Sequence, residues 1–410
     1  MRIAFVDLLF SWPPPGGAQA DLYYTIRGIQ ALGHDVHLFA PCYDFKWAFN
    51  AFDPDDLPFP ATPLWFTNAA YRPAPMARAF RDAVDAWRPD LVFAGFGRYY
   101  KPHVLAALNR YPQISRYYMY EHLCIRDFSL YKAAETCPND IFHTGPACRR
   151  CAFACWSRDL RSGKFTTYGL EFDRARAWTP RYERLFRQTV GNVRTAIVNN
   201  DLAKTRIEGF CPDVRCIPGG VDLAAYPPPA PRPDAPGRKT VILMVGRADD
   251  PLKGADVLIE AGLGLSGVRD DFEVWITSAE PLPENAWLRN AGWRDHAGIR
   301  DLYHQADIVV VPSVWDEPYG LVAVEAMAAG LPVVASRAGG LPMNVRHGET
   351  GLLFAPGDSA ELALRLASLL DDPALRARMG AAGRARVEAE NDWAAIIQRH
   401  YPALLEEALR

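Results

Sequence analysis

Short apolar runs alternate along this chain with stretches of helical periodicity. Residues 3–9, IAFVDLL, read as a buried strand, followed by the Pro/Gly loop SWPPPGGA and an amphipathic helix from about Ala20 to Leu32. Gly33 closes that helix, and DVHLFA alternates as the next strand. Strand, glycine loop, helix and strand in succession make a βαβ unit, which requires a parallel sheet. Further strands are predicted at DLVFAG (90–95), ISRYYMY (114–120) and TAIVNN (195–200). A second series follows: TVILMVG (240–246), FEVWITS (272–278), DIVVVPS (307–313), LPVVASR (331–337) and the short GLLFAP (351–356). Between the series lies YPPPAPRPDAPGR (226–238), whose six prolines exclude a continuous helix or central strand and mark a linker. The final stretch, NDWAAIIQRHYPALLEEALR, has a helical pattern.

The chain therefore reads as α/β, with two doubly wound Rossmann-like domains. The expected division is 1–225, 226–390 and a C-terminal helix, 391–410, that returns to the first domain. A length of 410 residues with 49% hydrophobic content lets each domain bury its own core. The formal charge of −3 carries no global signature of a nucleic-acid binder, and none is expected as a partner. No run of about 18 uncharged apolar residues offers a membrane span, and MRIAFVDLLF lacks the layout of a signal peptide. A cytoplasmic protein is expected, attached to a membrane only at its surface, if at all.

Ligand loops in open α/β sheets follow strand carboxyl ends. The segment Glu317-Pro-Tyr-Gly-Leu-Val-Ala-Val-Glu325 follows VPS, with a turn at Pro318 and Gly320 and a helix from Leu321. The amides of Gly320 and Leu321 would then open an anion and hydroxyl site at a helix N-terminus. Glu317 before the helix and Glu325 one turn inside it suit sugar and ribose hydroxyls. An acidic helix start that complements the dipole is the simpler alternative. Gly246-Arg247-Ala-Asp-Asp-Pro-Leu-Lys253-Gly254 supplies an Arg fork and a Lys point charge on one loop, apt for a diphosphate. Ala338-Gly339-Gly340 and Gly16-Gly17-Ala18 permit close backbone approach. The latter lacks the GxGxxG spacing of a dinucleotide fingerprint.

Together GR…KG, EPYGLVAVE, CIPGGVDLAAY and the N-terminal GGA loop resemble family 4 glycosyltransferases, retaining enzymes of the GT-B fold. The resemblance is close from about residue 195 to 390 and looser before. It implies two Rossmann-like domains facing a central cleft, and transfer of a hexose from a UDP- or GDP-sugar to a hydroxyl of a glycan or lipid-linked acceptor. Arg247 and Lys253 would hold the donor diphosphate. Glu325 would take the ribose, and Glu317, Tyr319 and the Gly320–Leu321 amides the donor sugar. Gly17 would let the first-domain loop approach. His122 in YYMYEHL, with Glu121 as the alternative, would stand near the donor sugar. No catalytic cofactor is implied, and the leaving phosphate would help deprotonate the acceptor. The chain departs from the family at ITSAEPLP (276–283), where a Gly-rich turn is usual. Trp293 nearby is a candidate for stacking on the base or for the core. The rival readings are an epimerase or hydrolase acting on sugar nucleotides, and a catalytically silent module that binds them.

Five of eight cysteines fall between 124 and 155. Cys137, Cys148, Cys151 and Cys155 form C-x10-C-x2-C-x3-C, apt for a structural zinc and less so for an iron–sulfur cluster, in an insertion of about 122–160. Cys124 or His143 could substitute for one ligand; free thiols are the alternative. From Gly145 to Arg194, 11 Arg or Lys stand against four Asp or Glu, interleaved with Trp156, Phe165, Trp178, Tyr182 and Phe186. Such a face could grip an anionic acceptor or membrane, or be a set of solvated helix surfaces.

Overall fold

The computed structural model describes residues 1–45, 52–126, 128–132, 135–163, 166–227 and 237–410. Most of the proline-rich linker, and Lys164 and Phe165 of the basic segment, lie outside the described residues. The chain forms two compact units: Met1–Leu130 with Cys137–Ile217 and Ile396–Arg410, and Tyr131–Thr136 with Pro218–Ala395.

In chain order the first part contains β1 (Arg2–Val6), α1 (Gly17–Ala31), β2 (Asp35–Tyr43), β3 (Ala61–Phe66), α2 (Pro73–Trp87), β4 (Leu91–Ala94), α3 (Lys101–Ala107) and β5 (Gln113–Arg116). The hairpin β6 (Tyr131–Lys132) and β7 (Glu135–Thr136) follows, then α4 (Gly145–Arg161), α5 (Thr167–Ala175), α6 (Pro180–Asn192), β8 (Thr195–Val198), α7 (Asp201–Ile207) and β9 (Val214–Cys216). Seven strands form one parallel sheet, β3-β2-β1-β4-β5-β8-β9. Strands β4, β5 and β8 are buried throughout, as expected of a parallel sheet covered on both faces.

The second part contains β10 (Thr240–Met244), α8 (Ala255–Ser266), β11 (Phe272–Ile276), β12 (Leu288–Asn290), α9 (His296–Gln305), β13 (Ile308–Val311) and α10 (Leu321–Ala328). It continues with β14 (Val333–Ser336), α11 (Leu341–Asn344), β15 (Gly351–Phe354), α12 (Ser359–Asp371), α13 (Pro373–Glu390) and α14 (Trp393–Ala408). Its parallel sheet runs β12-β11-β10-β13-β14-β15. Alternate residues face opposite sides of a strand. Leu243, Val309 and Val333 accordingly join one apolar cluster, and Ile242, Ile308 and Val334 the other. Each such fully buried side chain contributes roughly 1.5–3 kcal/mol.

Local chemistry sets several boundaries. The strand expected over 114–120 ends at Arg116, because the Glu121 carboxylate accepts from the backbone N–H groups of Tyr118 and Met119 at 3.0 and 2.8 Å. The first unit is tied inside by a buried ion pair, Arg116 Nη2 to Asp21 Oδ2 at 2.7 Å, with the two side chains 1% and 8% exposed. Arg116 Nε and Nη1 have no hydrogen-bond partner, so Asp21 carries most of the compensation for that charge. Tyr401 of α14 packs beside it, its hydroxyl 3.4 Å from Thr25 Oγ1.

Asp21→Ala would strand the Arg116 guanidinium in the core. A loss of about 3–5 kcal/mol is expected, read as a lower denaturant midpoint. A midpoint unchanged from the parent would show that the pair contributes nothing net.

Candidate functional site

Ligands bind beyond strand carboxyl ends where the strand order reverses. In the second unit that point lies between β10 and β13, which are neighbours in the sheet although β11 and β12 intervene in sequence. The loop 245–254 after β10 and the loop 312–320 after β13 therefore emerge side by side.

There Lys253 Nζ donates to both carboxylate oxygens of Glu317, at 3.0 and 2.9 Å. Ser313 Oγ and Trp315 Nε1 donate to Glu317 Oε2 at 3.0 and 3.1 Å. Lys253 also stands 5.3 Å from the centre of the Trp315 ring. At 25% and 13% exposure the pair is shielded enough to exceed the value of an open surface pair.

Glycine makes this packing possible. Gly339 has φ +56°, and a Cβ there would lie 2.2 Å from the Glu317 carbonyl oxygen. Gly340 N donates to that oxygen at 2.7 Å, and Gly339 N to Asp316 Oδ1 at 3.0 Å. Gly320, at φ +82°, caps α10; no side chain accepts from the first amides there, and no acidic residue stands in the first turn. Those amides are free to meet an anion or hydroxyl. The loop after β10 is tied to β11: Gly246 N donates to Thr277 Oγ1 at 2.9 Å, and Thr277 returns the bond to Gly246 O at 3.0 Å.

Glu325 is partly buried in α10 and accepts from the Tyr303 hydroxyl at 3.2 Å. Burial pushes its pKa up to about 7, opposed by hydrogen bonds from Tyr303 and Tyr226. Arg247 is 63% exposed and donates to Asp250 Oδ2 at 3.1 Å, within its own loop. Trp293 is 60% exposed, which removes the core alternative for it.

Other expectations need correction. The Tyr319 hydroxyl is committed: it donates to Gly219 O at 2.6 Å and accepts from Asn391 Nδ2 at 2.7 Å, so this side chain anchors the PGGVD segment. His122 has no exposed surface and packs on Tyr117, ring centres 4.7 Å apart. Burial, and then the Lys101 charge, push its pKa down to about 3, so the ring is neutral and reaches no ligand in this conformation. Its alternative, Glu121, is buried as well. Gly17 opens α1, with Gly16 as an extended cap that makes no side-chain hydrogen bond.

Cys148, Cys151 and Cys155 lie on α4, and Cys137 lies outside it. Burial first, and then the closeness of Cys137, Asp140 and Cys151, push the pKa of the Cys148 thiol up. Among the described residues no three His, Cys, Asp or Glu side chains converge as metal ligands. His143 instead faces Asp140, Nδ1 to Oδ1 at 2.9 Å. The basic segment is also partly consumed. Arg149 and Arg187 share Glu183, at 2.7 and 3.0 Å, and Trp156 stacks on Trp178 at 5.1 Å while Tyr182 and Phe186 are buried. Among the described residues no helix is long and apolar enough to cross a membrane.

Sequence reasoning missed Ser313, Trp315, Asp316 and Thr277. Position was the available signal, since all four stand just beyond the carboxyl ends of β13 and β11. It also missed that the hairpin β6–β7 groups with the second unit, where the Thr136 hydroxyl donates to Asp316 Oδ2.

Two doubly wound parallel units, with paired basic and acidic side chains at the strand-order reversal of the second, define the GT-B class of glycosyltransferase folds. The chain belongs to glycosyltransferase family 4: the model of that description matches residues 15–225, and the model for glycosyl transferases group 1 matches 230–386. It is 35% identical over 209 residues to the phosphatidyl-myo-inositol mannosyltransferase of Mycobacterium leprae, covering 49% of this chain and 56% of that one. A D-inositol 3-phosphate glycosyltransferase of Corynebacterium efficiens is 37% identical over 192 residues, covering 41% and 45%. The chain thus spans about half the length of the curated relatives it matches. Sucrose-phosphate synthase from Thermosynechococcus elongatus shares the fold with a TM-score of 0.71 at 20% identity, over 99% of this chain and 98% of that one. Anabaena HepE, solved in complex with UDP, does so with a TM-score of 0.66 at 20% identity, over 99% and 100%.

Gly339→Ala puts a methyl group into the Glu317 backbone. We expect a stability loss of about 1–3 kcal/mol, with displacement of the Glu317 loop visible as changed Trp315 fluorescence. A variant as stable as the parent, with the same emission, would show that this close approach is not required.

Proposed function

We propose that the chain is a retaining glycosyltransferase that moves a sugar from a UDP- or GDP-sugar to a hydroxyl of a glycan or lipid-linked acceptor. The observation that carries this reading is the convergence of Lys253, Glu317 and the uncapped amides of α10 at the reversal point of the second sheet. The names of its relatives, which include an inositol-lipid mannosyltransferase and a protein solved with UDP, lend support.

In this reading the donor diphosphate draws Lys253 away from Glu317 and neutralises it, and Arg247 swings from Asp250 to the same phosphates. The freed Glu317 carboxylate accepts from donor-sugar hydroxyls, Glu325 from the ribose, and Trp293 stacks on the base. Fixed charges aimed at the leaving diphosphate stabilise the charge that develops there in the transition state. Retention follows from attack on the face the diphosphate leaves, with a phosphate oxygen taking the acceptor proton. His122, whose two ring nitrogens are buried without a hydrogen-bond partner, would have to become accessible to take part. A lipid-linked acceptor would set the reaction at the inner face of a membrane.

Thermal unfolding against UDP-, GDP-, ADP- and dTDP-sugars tests the donor. One nucleotide should raise the midpoint, since a ligand of the native state stabilises it, and Lys253→Ala should abolish the shift. Transfer that persists when Arg247, Lys253, Glu317 and Glu325 are each changed to Ala would sink the assignment.

The Glu325 pKa of about 7 gives a second test. Ribose hydroxyls donate to the ionised carboxylate, so donor binding favours that form and releases a proton. Affinity should therefore rise between about pH 6 and 8, and Glu325→Gln should flatten the profile. An equally steep rise in Glu325→Gln would assign the titration to another group.

A further inference from the structure

A cavity of about 680 Å³ lies within the first unit, apart from the Lys253–Glu317 site and lined in part by Cys155 and Trp156 of the basic segment. One wall is the loop after β4, carrying Arg98 and Tyr99; the others are one face of α4 and the start of α5. Strands β1 and β4 are neighbours although β2 and β3 intervene, so this loop leaves the first sheet at its own reversal point, where ligands are bound.

Arg98 is the unusual wall residue. Its guanidinium lies between two rings, 4.0 Å from the centre of Phe128 and 3.1 Å from that of Tyr168. Its Nε is buried without a hydrogen-bond partner, and among the described residues no carboxylate makes a direct ion pair with it. The buried carboxylate behind it, Glu171, is already held by Tyr100 N at 2.8 Å and the Tyr71 hydroxyl at 3.3 Å. Arg98 is partly buried, and the carboxylates whose charge reaches it, Glu171 and Glu121, act only through space while their oxygens are engaged elsewhere. A partly desolvated guanidinium with no direct acceptor is costly.

Arg126 and Arg158 also line the cavity. So does the N-terminus of the nine-residue α5, whose first turn has no acidic residue. Asp159 and Asp173 reach the wall as well; Asp159 lies 3.7 Å from Arg158. Three guanidiniums thus stand against two lining carboxylates, with Glu171 behind Arg98. The α5 N-terminus is capped by Thr166 Oγ1, which accepts from Gly169 N at 3.0 Å. Beside them Trp156, Phe172 and Leu160 give an apolar flank.

We propose that this cavity binds a phosphate ester with an apolar body, the phosphoryl oxygens on Arg98 and Arg158 and the body against Trp156 and Leu160, as the anchor of the acceptor. The proposal rests on the transferase reading for the word acceptor; the site itself rests on Arg98 and the cavity.

Hexyl phosphate is a suitable probe, with inorganic phosphate and neutral hexyl glucoside beside it, followed by calorimetry and by quenching of tryptophan emission. Hexyl phosphate should bind at least about tenfold more tightly than either control, because both a charged hydrogen bond and an apolar contact are at stake. Arg98→Leu should weaken it by about tenfold or more. If that variant fails to fold, Arg158→Glu, which alters a 70% exposed side chain, should still weaken it severalfold. Co-sedimentation with vesicles containing phosphatidic acid, lost in the same variants, would name a lipid headgroup as the source. Hexyl phosphate binding without co-sedimentation would name a free ester.

Equal binding of inorganic and hexyl phosphate would overturn the apolar half of the proposal. No binding of hexyl phosphate, or binding indifferent to both substitutions, would overturn the whole. Nucleotide-sugar stabilisation measured on the same variants should be unchanged; its absence from the parent protein would count against the transferase reading and leave the cavity result standing.

Discussion

The Glu317 carboxylate is where the second unit's chemistry and its packing meet. Three donors from two loops converge on it, and its backbone carbonyl accepts from Gly340. A lysine this close would otherwise be an unbalanced charge at a sheet edge, and a half-buried carboxylate would be worse. Pairing solves both problems while leaving each group ready for a better partner. A diphosphate offers Lys253 more charge than one carboxylate does, and hydroxyls offer Glu317 the donors it then lacks. In the proposed reading the pair would couple two parts of one ligand, because neither residue is released at low cost unless both find replacements.

That coupling depends on backbone geometry that only small residues allow. Gly254, at φ +74°, approaches Pro312 O so closely that a Cβ would lie 2.0 Å from it, and Gly339 does the same to Glu317. Each contact joins a loop from one strand to a loop from another. The three loops after β10, β13 and β14 thus behave as one packed layer, and a change in one moves the others.

How legible this was depended on which physical signal each residue left. The central strands β10, β13 and β14 are continuous apolar runs buried on both faces, and such runs announce themselves. Strand β3, which contains Pro63, and the three-residue edge strand β12 carry little of that pattern and went unseen. That Lys253 and Glu317 stand on loops after buried strands could be read from the sequence, and the fold pairs them; Glu325 lies inside α10, where only the helical period places it. Tyr319 misled: its position beside Gly320 pointed to a ligand, but only the fold brings Gly219 and Asn391 to its hydroxyl. The burial of His122 was not legible, because spacing after a strand does not report it. The cysteine spacing did not reveal that Cys148, Cys151 and Cys155 share a helix, with Cys137 approaching from outside it.

The first unit poses a different problem, that of charges drawn inside the fold. Asp7, Lys101 and Glu121 are buried near one another, and burial pushes Asp7 up to about 7 and Lys101 down to about 8. These groups have internal partners: Asp7 accepts from Phe96 N at 2.6 Å, and Lys101 donates to Arg116 O at 2.9 Å. They fasten the loops after β1 and β4 together and so fix the base from which Arg98 projects. Arg98 differs from all of them in having rings on both faces and no hydrogen-bonded anion. Glu171 and Glu121 act on it only through space, since their oxygens are held by Tyr100, Tyr71, Tyr118 and Met119. The proposed ligand would supply the direct partner that these carboxylates do not.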